Sequence, residues 1–172
     1  DSYPEAFFDV VSIWHVLEHL PDPDSTLRQV SRWLVPGGAL LVAVPNIGSW
    51  QGRAFKGHWF HLDPPRHLYH FTAGSLEKAL GQAGFRVEAA RHFSMEQNPY
   101  GYLQSCLNAL GFPKDDLYET IKGNQGFKPL ISKSLQALLA AFLLLPSLLL
   151  SLGEAVFRRG GTIELVARKT NR

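Results

Sequence analysis

A single cysteine, Cys106, among 172 residues excludes an internal disulfide framework and fits a reducing cytosol. Charge is scarce as well. Only 19% of residues are charged, the net charge is +2, and basic residues are scattered among acidic ones, which excludes an extended nucleic-acid track but not contact with a short RNA end. The 15 glycines include no Gly-x-Gly pair, so the chain lacks a glycine turn of the kind that lets backbone approach a nucleotide-like cofactor. The N-terminus shows no basic-then-apolar signal. What the chain does have is apolar mass, 45% of its residues, enough for one sizeable core with an appendage.

The run Phe8-Asp9-Val10-Val11-Ser12-Ile13-Trp14-His15-Val16-Leu17-Glu18-His19-Leu20-Pro21-Asp22-Pro23 packs a buried strand, a polar strand exit and a helix start together. Residues 7–13 read as a parallel strand buried on both faces. Asp22 then caps a helix with Pro23 at its first position and Leu27, Val30 and Leu34 at helical spacing, ending at a Pro36-Gly37-Gly38 turn. No Lys-Ser/Thr follows those glycines and they precede a strand, so they are not a phosphate loop. A second buried strand covers 39–44, and Thr72 caps a helix stopped by Gly84. Residues 85–90 and 162–168 alternate as strands.

Together these segments resemble the second half of a class I S-adenosylmethionine-dependent methyltransferase, well over about residues 7–93 and moderately over the terminal strand. The resemblance implies an α/β, Rossmann-like sheet reduced to its last four strands, with 8–13 parallel to 39–44 and 162–168 antiparallel between 39–44 and 85–90. Methyltransferases of this class begin with a glycine turn and a ribose-holding acid, so their absence leads us to expect a piece of a longer gene product. Residues 1–96 are then a partial core, 97–160 an insertion, and 161–172 the last core strand and tail.

Ligands of open α/β sheets bind beyond the carboxyl ends of strands, which places chemistry at Trp14, His15, Glu18 and His19. By resemblance Trp14 and His15 lie along S-adenosylmethionine. His15-x-x-Glu18-His19 also resembles the Glu-x-x-Glu-His segment of ubiquinone-biosynthesis O-methyltransferases and small-RNA 2′-O-methyltransferases, where that segment and a later histidine hold a divalent metal. Here the set would be His15, Glu18, His19 and His67, holding Mg²⁺ or Zn²⁺, with His70 an alternative to His67. The competing reading makes His19, His67 or His70 a general base near neutral pH. The same residues match a His-x-x-Glu-His metalloprotease signature, but Pro21 and Pro23 break the long helix that signature needs. Trp50, Phe55, Trp59 and Phe60, in the 46–71 loop, line an acceptor pocket or pack that loop on the sheet.

Within the insertion, 98–127 reads as irregular or weakly helical. Residues 134–153 carry no charge and are mostly Leu. A simple membrane crossing would strand the last β-strand on the wrong side, and Pro146 interrupts the run, so two short helices forming an apolar hairpin are expected. That hairpin would close over an apolar substrate or dip into one leaflet, with Lys128, Lys133, Arg158 and Arg159 at its ends.

The expected function is methyl transfer, to oxygen before nitrogen or carbon, on a small-molecule or lipid- or envelope-linked acceptor. The rivals are a membrane-peripheral scaffold on a decayed methyltransferase fold and a metal-dependent hydrolase. The expected location is cytoplasmic, peripheral at the membrane, with an exposed edge at 8–13 that invites a homodimer.

Overall fold

The computed structural model describes residues 3–123 and 130–170, with only the backbone of 130–132. Lys128 lies outside the described residues. Four strands form one sheet in the order β1 (Phe8–Trp14), β2 (Leu34–Pro45), β4 (Thr162–Lys169), β3 (Phe85–Arg91). β1 runs parallel to β2, while β4 is antiparallel to both its neighbours, as the resemblance implies.

Local chemistry explains the elements. Asp22 accepts a hydrogen bond from the Ser25 N–H (2.9 Å) at the head of α1 (Pro23–Trp33), and Pro23 gives up no needed donor there. After the short α2 (Trp50–Phe55), Thr72 and Ser75 exchange the two bonds of a capping box at α3 (Ala73–Gln82), whose exit needs Gly84 at φ +86°. The Pro36-Gly37-Gly38 turn differs from expectation. It is a bulge inside β2, where Phe8 pairs with Leu34 and Val10 already pairs with Ala39, so the excess residues loop out at Gly37 (φ +75°).

Leu27 and Val30 of α1 and Leu76 and Leu80 of α3 bury one face of the sheet against Leu40, Val42, Ile163 and Leu165. The opposite face carries Trp14, Leu41, Ala89, Arg91, Glu164 and Val166 along an open groove. Trp14 is half exposed there.

The insertion departs most from the sequence reading. Residues 98–109 form a regular helix, α4 (Asn98–Ala109), in which Asn98, Gln104 and Asn108 are buried with their amides hydrogen-bonded to the His92 carbonyl, Asn108 and the His58 carbonyl, partners that the sequence pattern hides. After the short α5 (Asp116–Ile121) comes α6 (Leu130–Val156), one continuous 27-residue helix with Pro146 inside it, not a broken hairpin. Proline removes a single helix donor, and packing on either side of it outweighs that loss. The return leg needed to bring β4 home is α4: its start lies by Leu144 and Leu148 of α6, and its end by Leu135 and Leu139, so the two run antiparallel.

Gly160, between α6 and β4, is pressed against the His92 carbonyl and the Asn98 amide, and an added Cβ would collide with that carbonyl. Gly160→Ala should therefore destabilise the fold by about 3 kcal/mol, within the upper range for overpacking. Denaturant unfolding measures this, and a loss below about 0.5 kcal/mol would show that the junction can relax.

Candidate active site at the β1 exit

The chain leaves β1 through His15, which takes φ +50° while its N–H still bonds the Ala43 carbonyl (2.9 Å). A single 3-10 turn, Leu17–His19, follows. That tight turn buries Leu17 in the core and Glu18 beside it, and aims both the Glu18 carboxylate and the His19 ring at the 60–70 loop.

Backbone bonds fix the loop in register. The Glu18 carbonyl accepts from the N–H groups of Leu68 (2.9 Å) and Tyr69 (3.2 Å), and the Tyr69 hydroxyl donates to the Pro21 carbonyl (3.0 Å). His67 is thereby carried to Glu18. Its Nε2 lies 4.0 Å from Glu18 Oε1, and the His67 and His19 rings sit 4.7 Å apart.

Both rings are oriented by main-chain carbonyls. His19 Nδ1 bonds the Arg66 carbonyl (2.9 Å) and His67 Nδ1 bonds the His61 carbonyl (2.8 Å). A carbonyl can only accept, so Nδ1 carries the proton in each ring. In the neutral ring Nε2 then holds a lone pair. Burial, the largest influence on it, lowers the His67 pKa and keeps that lone pair free.

Glu18 is the anomaly of this site. It is 1% exposed, neither carboxylate oxygen has a hydrogen-bond partner, and its nearest nitrogen is His15 Nδ1 at 3.4 Å. His15 Nε2 is likewise buried without a partner. Orphaned polar atoms of this kind mark a place for a ligand or ion.

Of the expected residues, Glu18, His19 and His67 converge, offering ligand atoms all within 4.8 Å of one another. His15 lines the same pocket, its Nδ1 3.4 Å from the Glu18 Oε1 that His67 also approaches. His70 is outside this set, exposed, its ring 6.4 Å from that of His67 and its Nε2 bonded to the Leu62 carbonyl (2.9 Å). Trp14 lines the open groove on the sheet face and no part of this pocket.

The pocket has a volume of about 210 Å³ and is closed by Phe60, His61, Gln97 and Tyr118. Binding sites for drug-sized ligands span roughly 300–1,000 Å³, so this pocket is smaller than a typical one. Phe60 is thus the pocket-lining member of the expected aromatic set, while Trp59 is buried and bonds Gln51 through its indole N–H (3.1 Å). Sequence reading missed His61, Gln97 and Tyr118. The histidine-rich loop was a signal for the first; nothing local marks the other two, which the insertion brings in.

His61 is buried, and desolvation above all lowers its pKa to about 3. The unfolded chain takes up a proton near pH 6.5 and the folded one does not, so the fold is favoured fully above pH 6.5 and loses stability as pH falls from 6.5 toward 3. The expected slope is about 1.4 kcal/mol per pH unit from this residue. Thermal midpoints measured across that window should fall in the native protein and fall less in His61→Phe; equal slopes would remove His61 as the cause.

Residues 1–90 match the family model described as a methyltransferase domain. A protein of Mycolicibacterium smegmatis named as a probable S-adenosylmethionine-dependent methyltransferase is 36% identical over 85 residues, 49% of this chain and 31% of its own length. The ubiquinone biosynthesis O-methyltransferase of an Azoarcus species is 35% identical over 63 residues, 37% of this chain and 24% of its own. The chain thus corresponds to part of these relatives' length. The solved structure of a SAM-dependent methyltransferase from Archaeoglobus fulgidus superposes with a TM-score of 0.50 at 17% identity, covering 96% of this chain and 61% of that one. With the family model matching just over half the chain and the strand order agreeing, this chain belongs to the methyltransferase-domain family.

Proposed function

We propose that the protein containing this chain transfers the methyl group of S-adenosylmethionine to a hydroxyl oxygen of a small-molecule or lipid-linked acceptor. The observation that carries this reading is the buried, unpartnered Glu18 carboxylate, 4.0 Å from His67 Nε2 and clustered with His19 at the exit of β1. The O-methyltransferase name of one relative supports oxygen as the target.

Of the groups that hold the cofactor, this chain supplies the strand exit, where the unpartnered Nε2 of His15 offers a polar contact. The glycine turn is not among its residues. In the transfer the carbon–sulfur bond breaks as the carbon–oxygen bond forms, S-adenosylhomocysteine leaves, and the hydroxyl proton goes to Nε2 of His19 or His67. The backbone carbonyls of Arg66 and His61 hold those rings in the accepting tautomer. Glu18 stabilises the imidazolium that results.

Glu18, His19 and His67 also fit a divalent cation by donor type, free Nε2 atoms and carbonyl-tethered Nδ1 atoms. Such an ion would lower the pKa of a bound hydroxyl.

The test is to incubate the intact protein with methyl-labelled S-adenosylmethionine and a prenylated phenol, or the same compound with its hydroxyl already methylated. Label should enter only the free phenol, as an ether. Label in both compounds, or on carbon, would overturn transfer to oxygen.

A further inference from the structure

α6 is built inside out. Gln136, Ser147, Ser151 and Glu154 are buried against the protein, while Leu138, Phe142, Leu145, Leu149, Leu152 and Val156 form one stripe on the far side, with Phe142 75% and Val156 78% exposed. Positions 138, 142, 145, 149, 152 and 156 repeat at helical spacing, so the stripe is straight and about 27 Å long. We propose that this stripe docks the protein on an anionic phospholipid leaflet, with α6 lying flat in the plane of the headgroups.

Charge and aromatic placement identify the occupant. No charged residue occurs from Ser134 to Gly153, Lys133 stands at one end of the stripe, and exposed Arg158 and Arg159 stand at the other. The nearby carboxylate, Glu154, is turned inward, accepting from Gln51 N (2.7 Å) and Gln51 Nε2 (3.0 Å). The outward face therefore presents leucines with the exposed Arg158 and Arg159 at its C-terminal end. Phe157 and Trp50 pack at 5.2 Å beside the arginines, both exposed, where an aromatic pair sits at headgroup depth. A second copy of the chain suits the stripe less well: antiparallel pairing sets Lys133 against Arg158, and parallel pairing sets Lys133 against Lys133.

Packing dictates the flat orientation. α4 runs along the inner side of α6 and is tied on its other side to Gln51 and the 56–61 loop, where Asn108 donates to the His58 carbonyl (3.2 Å) and the Ser105 hydroxyl accepts from Phe60 N–H (2.9 Å). At the head of α6, Leu135 and Leu139 lie against Leu110–Pro113; its other end is held by Trp50 N–H on the Arg159 carbonyl (3.1 Å). Both ends are anchored to the same body. A crossing would drag the polar α4 interior through hydrocarbon.

This docking is independent of the reaction assigned above. The experiment is flotation of the intact protein with vesicles of phosphatidylcholine alone and of phosphatidylcholine mixed with phosphatidylglycerol. Leu145→Asp and Leu149→Asp sit on the exposed face, and unchanged circular dichroism verifies their folding. The native protein should float with the mixed vesicles. Each Asp variant should weaken partitioning by about tenfold or more, the equivalent of withdrawing one buried Leu. Arg158→Glu with Arg159→Glu should erase the preference for phosphatidylglycerol. Absence of flotation by the native protein, flotation by the Asp variants equal to native, or a dimer in sedimentation that the Asp substitutions dissolve would each overturn the proposal, the last by giving the stripe to a second copy.

Discussion

Glu18→Gln is expected to abolish turnover while leaving the fold as stable as before or more so. Its carboxylate is 1% exposed and neither oxygen accepts a hydrogen bond, so the native fold carries the desolvation cost of a charged group without a full partner. The closest nitrogens, His15 Nδ1 at 3.4 Å and His67 Nε2 at 4.0 Å, lie beyond good hydrogen-bond range, and burial disfavours a charge on the second. An amide of the same shape keeps the packing and offers a donor to the facing histidine nitrogens, so the thermal midpoint should not fall. Turnover should drop at least about 100-fold, because the group that balances the proton acceptors, or holds a cation, is gone. A Gln variant that melts earlier and loses activity only in proportion to its unfolding would make Glu18 a structural anchor instead.

His19→Ala should act on the reaction and spare the cofactor. Its ring is tied to the Arg66 carbonyl and stands 4.7 Å from that of His67. Loss of a positioned proton acceptor costs about 100- to 10,000-fold in turnover. Affinity for S-adenosylmethionine should stay within about threefold, since that contact is assigned to His15. Single-turnover kinetics beside equilibrium binding separate the two quantities. If His19→Ala weakens cofactor binding as much as it slows the reaction, His19 lines the cofactor and the division of roles is wrong.

The sheet was legible because its signals are local. Apolar runs at 8–13 and 39–44, the Asp22 and Thr72 caps and the Gly84 stop each specify one element, although β1 is half exposed instead of buried on both faces and β2 begins at Leu34, ahead of the expected turn. The antiparallel return of β4 followed from the family resemblance, since alternation at 162–168 says nothing of direction. At the site, the spacing of Glu18 and His19 was visible, whereas the choice of His67 over His70 depends on the Leu68 and Tyr69 bonds to the Glu18 carbonyl, which are long-range and sequence-blind. The insertion misled for the same reason. Buried Asn98, Gln104 and Asn108 make α4 look irregular, and Pro146 looks like a break until tertiary packing holds α6 straight. Gln97 and Tyr118, the insertion's contributions to the pocket, could be found only in three dimensions.

In the proposed reaction, cofactor and acceptor meet at the exit of β1. The most direct measurement is calorimetric titration of the intact protein with S-adenosylhomocysteine, native beside His15→Asn and His19→Ala, Asn being chosen because it tolerates the left-handed conformation His15 adopts. The native protein should bind with one-to-one stoichiometry, His15→Asn should bind about tenfold more weakly or worse, and His19→Ala should bind as the native does. No binding by the native protein, or binding that His15→Asn leaves unchanged, would contradict it.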